Sequence, residues 1–350
     1  MYLNMTVTAR EIITARLNHE GTDITPYEVH FEKGIHDRLA VHYGNDWGWV
    51  EKKLRSFTCS FLNVDTIQME YYDQGKKAID AYGVRWNLEA KMPHGENIPV
   101  EEPSLTNYKF PTLEKFLNPV LEKKQAAIKS YNEENEKYRM INMGWGIFEN
   151  SWRICGFENS LMYMLTDEDF YKELTTKLTD IYVALVKECT DVPADAFLFG
   201  DDWGDQRGVI MGDNTWRKFL KPCWERIFNE VHKQGKKTIC HSCGSISAIY
   251  DDLAEIGLDC HESVQPEAYG MAPEIVKEKW GNKMCFWGCI GSQGLLSNGT
   301  PQEIRAEVFR LHELFKKDGG YVMAPAKPLS EEMDLDKAIA LIEALSELPK

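Results

Sequence analysis

Apolar residues along this chain fall into two alternating patterns. Short β-rich runs recur through the second half: DAFLFG (195–200), KKTICH (236–241), GLDCHES (257–263), KMCFWGC (283–289) and GYVMAP (320–325). Between them the spacing changes to steps of three and four. Phe170, Leu174, Leu178, Ile181 and Leu185 line one face of a helix. TWRKFLKPCWERIFNEVHKQG reads as a helix interrupted near Pro222 and closed by Gly235. SAIYDDLAEIG is a short helix stopped by Gly257. At GTPQEI, Thr300 caps, Pro301 suits the first helical position and Glu303 closes a capping box. The face of that helix runs Ile304, Val308, Leu311, Phe315, and a last helix spans DLDKAIALIEALSEL.

Strand, helix, strand at this spacing predicts βαβ units and a parallel sheet in an α/β fold. DITPYEVHF (23–31), FLNVDTIQM (61–69) and YRMINMGWG (138–146) bring the predicted strands to eight, the number that closes a (β/α)8 TIM barrel. Residues 70–137 break the alternation. There GVRWNLEAKMPHG predicts a small hairpin, and EKFLNPVLEKKQAAIKSYNEENEKY a surface helical insertion. With an N-terminal extension ahead of the barrel and no Gly/Ser-rich linker, residues 1–350 form one predicted domain.

Charge then narrows the partners. Forty basic against fifty-five acidic residues give a net charge of −15, which argues against nucleic acid and anionic membranes, since both require a basic footprint. No stretch approaches the roughly 18 apolar residues of a membrane span, and MYLNMTVTAREII lacks the pattern of a secretory leader. The nine cysteines therefore read as free thiols in a cytoplasmic protein rather than as a disulfide framework.

In a parallel barrel, chemistry gathers at the carboxyl ends of the strands. The residues there are polar: Asp201, Asp202 and Trp203; His241, Ser242 and Cys243; His261, Glu262 and Gln265; Cys289, Ser292 and Gln293; Lys327. Strand residues two apart point the same way, so His241 and Cys243 share a face. Histidine nitrogen and cysteine thiolate are donors that zinc takes, and a catalytic zinc keeps three protein ligands and an open position. Cys289, two strands away, is the candidate for a third ligand across the barrel mouth. Asp201 and Asp202 are the catalytic candidates, orienting ligands or moving protons.

HSCG, LAEIGLDCHESVQPEA, FWGCIGSQGLLSNGTPQEI and GGYVMAPA, in that order, resemble the C-terminal half of the uroporphyrinogen decarboxylase superfamily, over about residues 135–345. The resemblance implies the barrel and one of two chemistries. The decarboxylases use an early R-Q-A-G-R segment and a histidine after the last strand. Here the corresponding stretches are DITPYEVHFEKG and APAKPL, without either. The other branch comprises cobamide-dependent methyltransferases, in which H-x-C and a distant cysteine hold zinc that activates a thiol.

His241 and Cys243 match the first two of those ligands; the third is missing from APAKPL, so either Cys289, Asp202 or Glu262 replaces it or the site binds metal weakly or not at all. The resemblance thus implies a zinc-dependent methyltransferase moving a methyl group between a corrinoid, free or on a corrinoid protein, and a small-molecule acceptor. Trp203, Gln265 and Gln293 are the residues expected to line the corrinoid, with Trp145 and Trp287 as further flat walls. A homodimer is the assembly such barrels often adopt. Two rival readings are a decarboxylase of a smaller carboxylate gripped by Lys327 or Arg207, and a non-catalytic corrinoid-binding barrel.

Overall fold

The computed structural model describes residues 7–91, 93–132 and 136–349. Its main sheet contains β1 (Thr58–Asn63), β6 (Tyr138–Trp145), β7 (Ala196–Gly200), β8 (Lys237–His241), β9 (Cys260–Val264), β10 (Cys285–Ile290) and β11 (Tyr321–Pro325), paired in that order and all parallel. A second, antiparallel sheet of β2 (Glu70–Tyr72), β3 (Lys77–Ile79), β4 (Arg85–Asn87) and β5 (His94–Gly95) is inserted after β1. The main strands read as unbroken apolar runs because helices cover them; every residue of β10 and of β11 is buried.

The predicted helices fall where their punctuation put them. Pro222 lies at the start of the helix Lys221–His232, just after the helix Asp213–Phe219 ends. The Thr300–Glu303 capping box is fully formed ahead of the helix Pro301–Phe315. One large apolar core joins the helices to both faces of the main sheet, and a small satellite of Ala78, Val84 and Trp86 holds the inserted sheet together.

Two expectations need correction. The main sheet has seven ladder strands, not eight. DITPYEVHF meets β11 through one isolated bridge, Tyr27 with Met323, and the segment beyond β11 through another, Phe31 with Leu329. Pro26 has no N–H to give a ladder, and toward β1 the contact is by side chains: Thr58 Oγ1 donates to Glu28 Oε1 at 2.6 Å. The segment nonetheless reaches from one edge of the sheet to the other, so the sheet is curled.

The second correction concerns 114–138. The helix Leu113–Lys129 is no surface insertion; it packs on β1 and on the helix Glu168–Glu188, as the crossover between β1 and β6 must. Phe116, Val120 and Lys124 are its buried stripe. The Lys124 ammonium bonds the Glu188 carbonyl at 2.9 Å and its carboxylate at 2.7 Å. A lysine in the buried stripe and Pro119 inside the helix hid its amphipathic period. Among the described residues, no helix is long and apolar enough to cross a membrane.

Candidate metal centre at the strand ends

Register sets the site. Gly200 pairs with His241, and His241 with Glu262, so β7, β8 and β9 end at one level. The loops beyond them touch backbone to backbone: a Cβ on Gly204 would lie 2.6 Å from the Cys243 carbonyl, which only glycine avoids. Asp202 Oδ1 accepts the Cys243 N–H at 2.8 Å. Trp203 N–H donates to Ser242 Oγ at 3.0 Å.

The H-x-C pair opens onto a carboxylate. Donor atoms of Asp202, His241 and Cys243 lie within 4.8 Å of one another. His241 Nε2 stands 3.4 Å from Cys243 Sγ and 3.5 Å from Asp202 Oδ1. Its Nδ1 pairs with Glu262 Oε2 at 2.6 Å. Burial works against charge on this ring, but Glu262 and Cys243 beside it prevail and hold the imidazolium well above the ordinary histidine range. Burial likewise disfavours the Glu262 carboxylate, yet His241 holds its carboxyl below the usual value. All three donor residues are partly exposed.

Asp201, next in sequence, faces away. It is fully buried, and its two oxygens accept from Phe148 N at 3.1 Å, Glu149 N at 2.9 Å, Trp203 Nε1 at 2.7 Å and Trp224 Nε1 at 3.2 Å. It therefore pins the first turn of the helix Ile147–Cys155, whose amides lack partners of their own. Gly146 permits this approach: a Cβ there would sit 2.5 Å from the Asp201 Cβ. Burial raises the Asp201 carboxyl to about 6, despite these bonds.

The remaining sequence candidates separate. Trp203 is buried against Trp216 and Trp224, and Trp287 is buried as well; only Trp145 shows its ring, at 40% exposure. Gln265 is buried, accepting the Gly244 N–H at 3.3 Å, while its Nε2 has no partner among the described residues. Gln293 is exposed beside Lys327 in a different cavity of 480 Å³. Cys289 does not join the cluster. Its buried thiol lies near Tyr321 and the Glu307–Arg310 pair on the outer helix, and burial pushes it far up.

One mouth residue escaped the sequence reading. Glu149, in the first turn after β6, is raised to about 8 by burial first and by Asp201 second, with Asp202 and His241 also acting on it. The signal was an acid three residues beyond the strand-end glycine, at Gly146-Ile147-Phe148-Glu149.

The family model for uroporphyrinogen decarboxylase (URO-D) matches residues 79–348, including β4 and β5 of the inserted sheet. The chain belongs to the uroporphyrinogen decarboxylase family. It is 22% identical over 197 residues to the methylcobamide:CoM methyltransferase MtaA of Methanosarcina barkeri, covering 55% of this chain and 54% of that one. It is 29% identical over 157 residues to the uroporphyrinogen decarboxylase of Bacillus cereus (strain B4264), covering 42% and 43%. The matched stretches thus span about half the length of these curated relatives. A solved methyltransferase from Methanosarcina mazei shares the fold, with a TM-score of 0.68 at 18% identity over 97% of this chain and 98% of that one.

Proposed function

We propose that the chain is a corrinoid-dependent methyltransferase of its family, with zinc held by His241, Cys243 and Asp202. The observation that carries this reading is the convergence of a nitrogen, a thiol sulfur and a carboxylate oxygen within 4.8 Å at the strand ends. That donor set suits zinc. Three protein ligands leave a position for a substrate thiol, and Asp202 takes the place expected of Cys289. Bound zinc would supply Lewis acidity that keeps such a thiol deprotonated at neutral pH.

The chain's own residues have separable tasks. Glu262 takes the His241 Nδ1 proton in a hydrogen bond and so turns Nε2 toward the other donors. Asp202, by accepting the Cys243 N–H, ties the two loops together. Glu149 carries a proton on its carboxyl at neutral pH, beside Asp202 and His241, and is the proton-holding group of the mouth. Trp145 offers the exposed aromatic wall for a large ring. A corrinoid or corrinoid protein as partner, and a small thiol as acceptor, follow from this reading.

The test mixes zinc-loaded protein with methylcobalamin and a series of small thiols. Loss of the methylcobalamin absorbance together with thioether formation is expected. Cys243→Ala and His241→Ala should each slow it by about 100-fold or more. Release of CO2 from small carboxylic acids without methyl transfer would contradict the proposal and favour the decarboxylase reading.

A further inference from the structure

Arg153, on the helix that follows β6, is 5% exposed, and among the described residues it forms no ion pair. A buried guanidinium without an ion-pair partner is costly, because the charge loses water and only aromatic faces and acids bonded elsewhere offset the loss. Only Nη1 has a partner, Asn150 Oδ1 at 3.5 Å. Nε and Nη2 have none. Those two nitrogens form one edge of the guanidinium, a fork of near-parallel donors matched to the two oxygens of a carboxylate.

The neighbouring acids cannot fill this fork. Asp80 spends its oxygens on Tyr82 N at 2.9 Å, Val84 N at 3.0 Å and Trp86 Nε1 at 3.0 Å. Asp201 is committed to its four donors. Glu149, one turn earlier on the same helix, makes no ion pair with Arg153. The surroundings are flat and aromatic: the guanidinium lies over Trp145, 5.5 Å from the Trp86 ring and 5.6 Å from the Trp152 ring. Trp145 is the exposed wall, and Trp86 is delivered by the inserted sheet.

We propose that Arg153 and its three tryptophans form a carboxylate-binding subsite for a small planar organic acid. The fork recognises the acid, and the indoles cover the apolar body. Glu149 lies one turn before Arg153 on the same helix, and its N–H bonds Asp201, the chain neighbour of Asp202, at 2.9 Å, which places the subsite beside the candidate metal centre. The proposal goes beyond methyl transfer and stands whether or not that reaction occurs.

Calorimetric titration of the full chain with benzoate and with benzamide, at fixed ionic strength, tests it. Saturable benzoate binding at least about tenfold tighter than benzamide is expected. Arg153→Gln should remove it. Arg153→Lys, which keeps the charge and loses the fork, should weaken it by about tenfold or more. Cys243→Ser, which damages the metal centre, should leave it unchanged, so this proposal and the methyltransferase reading fail separately. Equal binding of acid and amide, no benzoate binding to the wild type, or full affinity in Arg153→Gln would overturn the assignment. Should Arg153→Gln not fold, the acid–amide comparison on the wild type decides alone.

Discussion

Glu262 and His241 meet at 2.6 Å through Nδ1, which commits the ring's other nitrogen to Cys243 and Asp202. An outer carboxylate of this kind fixes both tautomer and ring orientation. Glu262→Gln should therefore lower zinc affinity by about 10- to 100-fold while leaving the melting temperature nearly unchanged, as competition with a chelating dye would read. His261 is a different case. Fully buried between Tyr250 Oη at 2.8 Å and the Ser242 carbonyl at 3.0 Å, it is lowered to about 4, because burial disfavours its charged form. A depressed histidine contributes stability that is present above the unfolded value near 6.5 and lost as pH falls toward 4. That loss should amount to roughly 3 kcal/mol, measured by urea unfolding at pH 7 and pH 4, and should vanish from the slope in His261→Gln. Much of the site was legible at this scale: strand alternation places His241 and Cys243 together, and the structure does so. Alternation leaves open which of Asp201 and Asp202 turns inward. That choice is made by Gly146 and by two indole N–H groups, contributed by Trp203 and Trp224, that draw Asp201 into the core. Glu149 was illegible as a strand-end residue because it belongs to the next helix.

Among the elements, the helix Ile147–Cys155 carries the most consequence, since it presents Glu149 and Arg153 on one face, four residues apart. Its N-terminus is tethered to a different strand end by Asp201. Asp201→Asn would replace one acceptor oxygen with an amide facing donors, so about 3 kcal/mol of stability should be lost at pH 7, as seen in denaturant midpoints. A change under about 0.5 kcal/mol would show that the tether does not hold the helix. The helices with marked ends, such as Pro301–Phe315, were read from their caps alone. The helix Leu113–Lys129 was misplaced because its burial includes a lysine whose ammonium finds its partner, Glu188, 64 residues away, a contact no local pattern reveals. The eighth strand failed for the opposite reason. Its apolar alternation is real, but its backbone bonds reach only isolated bridges on the β11 side, and side-chain contacts replace the ladder toward β1.

At the scale of the whole molecule, seven parallel strands, their covering helices and a single large core bring residues from β7, β8 and β9 to one rim. The inserted sheet adds Trp86 above that rim, next to Trp145 at 6.0 Å between ring centroids. An acidic chain with net charge −15 thus sets a metal-type donor cluster beside a buried, unpaired arginine. The motifs that carry the family resemblance run from the end of β8 through β9, β10 and β11 and the loops and helix starts that follow them, so one stretch of sequence carries both fold and family. The sequence leaves the third donor open among Cys289, Asp202 and Glu262, because the choice depends on how two loops pack. Zinc per chain, in protein purified without chelator, is the deciding measurement. About one zinc is expected in the wild type and in Cys289→Ala, and a loss of most of it in Cys243→Ala and Asp202→Asn. A wild type that stays zinc-free after loading and desalting, or zinc that is kept in Asp202→Asn and lost in Cys289→Ala, would contradict zinc binding by His241, Cys243 and Asp202.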